Sequence, residues 1–238
     1  KYISYGSLIG ADELGNETGN FNARDIAISI GYSINIPKTS FFIGSNIRLI
    51  NSNISNFSST GISTDLSILY NNPYKPFLIT LVARNFGTQI KSYTGEKEVL
   101  PFKLALGGSY KLEHVPLKWY ATIDNLQKLN ISVSNPSDQT TGLDGSVTDK
   151  NIGFIENTVR HLIIGAELFP ESALNVRIGY NFRRSAELKL QNVRTFSGFS
   201  FGFGIKMNKL KFNYAYSKFH SAANASTFSL LIDLDRGR

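Results

Sequence analysis

Apolar and polar residues alternate along almost the whole chain, with a period of two. Leu174, Val176, Ile178, Tyr180 and Phe182 fall on one side of such a run, and Asn175, Arg177, Gly179, Asn181 and Arg183 on the other. Further on, Phe199, Phe201, Phe203, Ile205 and Met207 oppose Ser200, Gly202, Gly204 and Lys206. The next run sets Leu210, Phe212, Tyr214 and Tyr216 against Lys211, Asn213, Ala215 and Ser217. Near the start, Ile26, Ile28, Ile30, Tyr32, Ile34 and Ile36 alternate with Ala27, Ser29, Gly31, Ser33 and Asn35. Near the end, Phe228, Leu230, Ile232 and Leu234 oppose Ser229 and Asp233. Alternation of this kind marks strands with one buried face. It predicts an all-β chain of about twelve strands, near residues 1–8, 21–36, 40–51, 60–71, 76–86, 102–112, 116–126, 158–169, 172–183, 196–207, 209–218 and 226–234.

Alternation does not by itself say whether the apolar face meets another sheet or lipid. Three features favour lipid and a transmembrane antiparallel up-and-down β-barrel. Strands of about ten to twelve residues exceed the usual five or six of soluble sheets and match the roughly nine to eleven of a tilted membrane crossing. The apolar faces are almost free of charge mid-strand, as expected where a Lys or Arg at the bilayer centre costs about 2–4 kcal/mol. The opposite faces mix Gly, Ser, Ala and Asn with isolated charges such as Asp65, Arg84, Asp124, Glu167, Arg177 and Lys206, which a wet or plugged lumen tolerates. A soluble β-sandwich is the alternative, with the Phe and Ile faces packed between two sheets.

The links between strands add direction. Short ones are expected near 37–39, 72–75, 113–115, 170–171 and 208–209, with longer polar ones near 9–20, 52–59, 87–101, 127–157, 184–195 and 219–225. Short periplasmic turns alternating with long outer loops are the pattern of a membrane meander. An even strand count then puts both termini on the periplasmic side and the long loops outside the cell. Tyr32, Tyr70, Tyr74, Trp119, Tyr120, Tyr180 and Phe182 gather towards strand ends, as interfacial aromatics do.

Composition narrows the function more than it names it. The 238 residues carry a net charge of +7 and no cysteine, which removes thiol chemistry, disulfides and cysteine-ligated metals. The basic residues are scattered rather than patched, which argues against a nucleic-acid partner. No apolar run is long enough for a transmembrane helix. The histidines, His114, His161 and His220, lack metal-ligand spacing and read as surface residues. There is no GxSxG elbow. The glycines from Gly198 to Gly204 lack the Lys-Ser/Thr and the helix of a phosphate loop, and 144–149 lacks the spacing of an EF-hand. The chain is therefore read as no enzyme and as needing no cofactor.

Candidate function sits instead in the long connections. The stretch 127–157 is polar at first and ends on Ile152, Phe154 and Ile155. Such a loop serves as a docking surface or folds into a barrel mouth as a lid. Leu143, Ile152, Phe154 and Ile155, with Arg183 and Arg184 at the end of a strand, are the candidate partner-binding residues. The two arginines are solvated interfacial charges or contacts for phosphates of outer-leaflet lipid and lipopolysaccharide.

Several segments, in order, resemble one family. They are YISYGSL (2–8), DELGN (12–16), INSN (50–53), STGISTDLSILYNNPYKPF (59–77), LVARNFGTQIKSY (81–93), LPFKLALGGSYKLEHVPLKW (100–119), VRHLIIGAELFPESALNVRIGYNFRRSAELKL (159–190) and SGFSFGFGIKMNKLKFNYAYSKFHSAANASTFSL (197–230). Together they resemble the PorV/PorQ family of type IX secretion proteins, the PorQ-like members above all, which is related to FadL-type barrels. The resemblance covers essentially the whole chain and lies in turns, loop entries and strand patterns. It implies a single barrel domain over 1–238 that belongs to a fourteen-stranded whole, with an N-terminal segment and two strands expected before Lys1. It further implies a surface scaffold that holds a PorZ-like protein near the sortase PorU and its barrel partner PorV, and it supplies no catalytic residue. A FadL-like channel for hydrophobic molecules is the alternative; Gly107-Gly108 is a candidate strand kink for a lateral opening.

Overall fold

Phe41 to Ile50 shows how the sequence becomes structure. Along this stretch residues alternate strictly between exposed and half-buried, and it is the apolar set (Phe41, Ile43, Ile47 and Leu49) that is exposed. The computed structural model describes residues 1–135, 138–141, 146–188, 196–218 and 224–234.

The strands are β1 (Tyr2–Ala11), β2 (Glu17–Asn35), β3 (Phe41–Ile54), β4 (Phe57–Asn71), β5 (Phe77–Lys91), β6 (Lys103–Lys111) and β7 (Leu117–Ile123). A two-strand ribbon, β8 (Thr140–Thr141) and β9 (Val147–Thr148), follows, then helix α1 (Phe154–Arg160). The rest are β10 (Leu162–Leu168), β11 (Leu174–Asn181), helix α2 (Phe182–Glu187), β12 (Phe199–Met207), β13 (Leu210–Lys218) and β14 (Asn224–Ile232). Apart from the ribbon, the strands form one twelve-stranded sheet in which each pairs with the next in sequence. The expected all-β, antiparallel up-and-down topology is therefore present. Among the described residues no helix is long and apolar enough to cross a membrane.

The chain divides into two compact units, Lys1–Tyr70 with Thr80–Leu104, and Asn71–Ile79 with Ala105–Arg238. In the first, register carries the apolar face from strand to strand: Ile34 pairs with Ile43 and Ile43 with Ile68, while Ile28 pairs with Leu49 and Leu49 with Ile62. In the second, Leu168 pairs with Val176, Val176 with Phe203, Phe203 with Tyr214 and Tyr214 with Phe228. Cross-strand contacts of this type stabilise a sheet by roughly 0.2–1 kcal/mol each.

The burial is inverted relative to a water-soluble protein. Ile30 is 79% exposed and Phe228 68%, whereas Ser63, at 1%, and Asn175, at 2%, lie buried on the opposite face. Among the described residues the buried apolar set is only Ala23, Ala105 and Ile131. A sandwich reading requires the Phe and Ile faces to be covered; among the described residues many of those side chains, such as Ile28, Ile30, Phe201 and Phe228, are exposed.

Boundaries depart from expectation where polarity hid the strand. The loops expected at 9–20 and 52–59 are largely strand: β2 begins at Glu17, and only Ser55 and Asn56 separate β3 from β4. Backbone pairing there, such as Arg24 with Asn53 and Asp25 with Ser52, does not depend on an apolar face. Strict alternation of short and long links consequently fails at 55–56. The strand expected from 158 starts at Leu162 because α1 occupies Phe154–Arg160, and the one expected to run to 183 yields to α2 after Asn181.

β5 contains a bulge. Asn85 adopts φ 59°, and the exposed apolar residues change from odd numbers (Ile79, Leu81) to even ones (Phe86, Ile90) across it. One extra residue in a strand produces that change of parity. Gly107-Gly108 is not a kink: β6 pairs with β7 in unbroken register from Leu106 to Lys111.

Candidate functional site

The longest connection, between β7 and β10, is built as a folded insert. Its two ends are tied together: Asp124 N donates to His161 O at 2.9 Å, and His161 Nδ1 lies 2.7 Å from Asp124 O. The other ring nitrogen, Nε2, lies 3.2 Å from Leu129 O. His161 is therefore a buried clamp rather than a surface residue, since both ring nitrogens face backbone carbonyls of the insert and its entry. Asn157 organises the next layer. Its Oδ1 accepts from Ile131 N (3.2 Å) and Ser132 Oγ (2.7 Å), and its Nδ2 donates to Leu129 O (2.6 Å).

Arg160 links the insert to the neighbouring connection. Its Nη1 donates to Val133 O at 2.9 Å and its Nη2 to Glu156 at 2.9 Å, one turn back on α1. The same guanidinium stands 4.0 Å from Glu187 on α2. Asn135 Nδ2 donates to the carbonyls of Ala186 (3.2 Å) and Glu187 (2.9 Å), which satisfies the free end of α2. At the other end of α2, Asn181 caps Arg184 N through its side chain at 3.0 Å.

The candidate docking residues thus fall on two helices that touch. Phe154 and Ile155 open α1 and are 85% and 78% exposed, while Ile152 just before it is half-buried. Arg183 and Arg184 lie on α2 rather than at the end of a strand, and both are half-buried. Arg183 Nε donates to both oxygens of Glu187 at 3.0 Å, so it is held by an ion pair and not simply solvated. Burial lowers the Arg184 guanidinium below its ordinary pKa, with Asp124 opposing that effect. Leu143 lies outside the described residues, as does His220.

Glu156 has its carboxyl held below the ordinary range, chiefly by hydrogen bonds from Lys150 and Arg160. α1 therefore carries two exposed apolar side chains on a frame fixed by charge and backbone contacts.

The polar sheet face bears two further clusters. In the first unit, Asp65 accepts from Arg48 Nη2 (2.6 Å), Asn46 Nδ2 (3.3 Å) and the backbone N of the bulge residue Asn85 (3.0 Å). Asn85 in turn receives Arg48 Nη1 at 3.4 Å and donates to Pro101 O at 3.0 Å. Beside the bulge an apolar cavity of about 440 Å³ is bounded by Phe86, Val99, Leu100 and Phe102. In the second unit, Glu167 accepts from Tyr120 Oη and from Arg177 Nε (2.9 Å), and Arg177 Nη1 reaches Asn213 at 3.2 Å. Among the described residues no group of three or more His, Asp and Glu side chains is placed to hold a metal.

Arg160, Asn157, Asn135 and His161 were not legible as organisers, because most of their partners are backbone carbonyls and amides distant in the chain. The two charge clusters were visible only as isolated charges on a polar face. No family model, curated protein or solved structure matches the chain.

Proposed function

We propose that this protein is a membrane-spanning β-barrel of the bacterial outer membrane. In this reading it acts without catalysis as a surface scaffold of the type IX secretion system. The observation that carries the membrane part is the set of exposed apolar side chains that alternate along the strands, such as Ile26, Ile28, Ile30, Tyr32 and Ile34 on β2 and Phe41, Ile43, Ile47 and Leu49 on β3. Ile26 to Ile34 on β2 alone covers about 26 Å along the strand at roughly 3.3 Å per residue, comparable with the roughly 25 Å apolar band of such barrels. Soluble monomers rarely expose contiguous apolar surface of this extent, and such surface marks membrane or protein contact.

Aromatic placement supports the same reading. Phe41 stacks near Tyr70 at 5.1 Å beside the short β4–β5 link, and Trp119 pairs across from Tyr110 beside the short β6–β7 link. At the opposite end of the second unit's strands, Tyr180 lies 4.8 Å from Phe182 and 4.7 Å from Phe199. Rings of this kind suit the headgroup zone at both membrane faces. The long connections then lie outside the cell and the termini in the periplasm.

The scaffold part rests on α1. Phe154 and Ile155 are displayed on a rigidly held insert, an arrangement that fits retention of a PorZ-like protein near PorU and PorV. Trp119 is the sole tryptophan and half-exposed on the apolar face, so its fluorescence tests the membrane part directly. In liposomes, brominated lipids are expected to quench it, more strongly with bromine near the headgroup than at the chain end. Absence of quenching would remove the barrel reading. Co-purification from outer membranes in mild detergent tests the scaffold part: a retained surface protein supports it, and none overturns it.

The bulge at Asn85 and the apolar cavity beside it favour a second reading, a channel for hydrophobic molecules. Protein-dependent uptake of an apolar dye into liposomes would select it over the scaffold.

A further inference from the structure

We infer that the polar sheet face of the second unit holds a binding site for a multiply charged oxyanion of the phosphoryl or carboxylate class. The site belongs to that unit alone and does not depend on the membrane reading.

The observation behind it is an open cavity of about 770 Å³, within the roughly 300–1,000 Å³ range of small-molecule sites. Its charged lining is Lys111, Lys118, Arg177 and Lys211 against Glu167 and Glu171, four cations to two carboxylates, an excess of two positive charges. Both carboxylates are already engaged. Glu167 receives Tyr120 and Arg177, and Glu171 binds Lys111. Lys118 lies 5.2 Å from the centre of the Tyr120 ring. Neither Lys118 nor Lys211 has a carboxylate at ion-pair distance among the described residues.

Register makes the excess deliberate in physical terms. Lys111 stands directly opposite Lys118 across β6–β7, with Glu167 facing Lys118 on its other side across β7–β10, and Lys206 stands directly opposite Lys211 across β12–β13. Like charges facing each other across a strand pair are destabilising, and Lys111, Lys118 and Lys211 are all half-buried rather than free in water. An anion between them relieves that repulsion. The floor is bare backbone at Gly165, Gly179 and Gly202, of which the first two pair directly. At Gly202 a Cβ would come within 2.4 Å of Tyr214 O, so the close approach of the two strands there admits no side chain. Ser200, Ser217, Thr227 and Ser229 put hydroxyls on the same wall. Ammonium groups acting as point charges, with hydroxyl donors around them, suit phosphoryl and carboxylate oxygens.

The test is calorimetric titration of the full chain in a nonionic detergent, at constant ionic strength, with pyrophosphate and with citrate. Saturable one-to-one binding is expected, weakened at least tenfold in the double variant Lys118→Gln/Lys211→Gln. The variant Lys38→Gln/Lys75→Gln, in short links elsewhere, is expected to bind as the parent does. Tighter pyrophosphate marks a phosphoryl ligand and tighter citrate a carboxylate. No saturable heat, or equal weakening in both double variants, overturns the site. Should the first double variant lose its β-sheet circular dichroism, Lys211→Gln alone reads the same loss on an intact fold.

Discussion

The backbone N–H of Asn85 donates to Oδ1 of Asp65 at 3.0 Å, one strand away. The bulge thereby frees an amide from the ladder and a neighbouring carboxylate takes it, with Arg48 and Asn46 on the same group. Asp65→Ala removes all three acceptances and leaves Arg48 uncompensated. Hydrogen bonds to a charged group contribute about 1.5–3 kcal/mol, so a loss of about 2–3 kcal/mol is expected, read from equilibrium unfolding in urea from detergent or lipid. Asp65→Asn should retain part of it.

The exposed and polar faces make opposite predictions for the same substitution. Ile30→Arg places a guanidinium on the apolar face and is expected to cost about 2–4 kcal/mol in a bilayer. Ser33→Arg, on the other face of β2, should cost under about 1 kcal/mol. Unfolding from liposomes measures both, and equal costs would show that the two faces see the same medium.

How far the sequence could be read depended on what held each element. Twelve strands and their order were legible, since each keeps one apolar face. The outer ends of β2 and β3 were not: Glu17 to Asn20, and Ser52 with Asn53, carry no apolar face and are held by backbone pairing. β5 read as ending at Phe86 because the bulge at Asn85 shifts the parity of everything after it. Nor was α1 legible, since Val159, His161 and Ile163 continue an alternating pattern into what is helix. Of the docking residues, Phe154 and Ile155 were legible as the apolar end of a long polar loop, with docking and a lid both open; their exposure and the pairing of Arg183 with Glu187 on a helix were not.

Phe154 and Ile155 should separate recognition from stability. Both are exposed, so Phe154→Ser with Ile155→Ser is expected to shift stability by no more than about 0.5 kcal/mol. Retention of a surface partner should nevertheless fall severalfold in a pull-down. Unchanged retention would discard α1 as the dock.

α1 should loosen in acid. The folded Glu156 carboxyl titrates below its unfolded value. Its stabilising effect is therefore full above that unfolded value, about 4.3, and is lost as pH falls through the lower folded one. Hydrogen exchange across 146–161 should accelerate in that window. In Glu156→Gln the acceleration should be largely absent.

His161 predicts a local effect of another kind. His161→Ala removes the buried ring that faces Asp124 O and Leu129 O; Leu129 O keeps Asn157 Nδ2, so the loss falls on Asp124 O and on the ring's packing, about 1–3 kcal/mol. Limited proteolysis within 124–135 is expected to increase, with the sheet spectrum unchanged.

The tie between Asp124 and His161 has a wider consequence. Because the insert leaves and re-enters the sheet at adjoining, mutually bonded positions, its interior can be lengthened, shortened or exchanged while the strands on either side keep their register. Whatever the insert recognises is therefore free to diversify on a lineage's own schedule, independently of the wall that carries it.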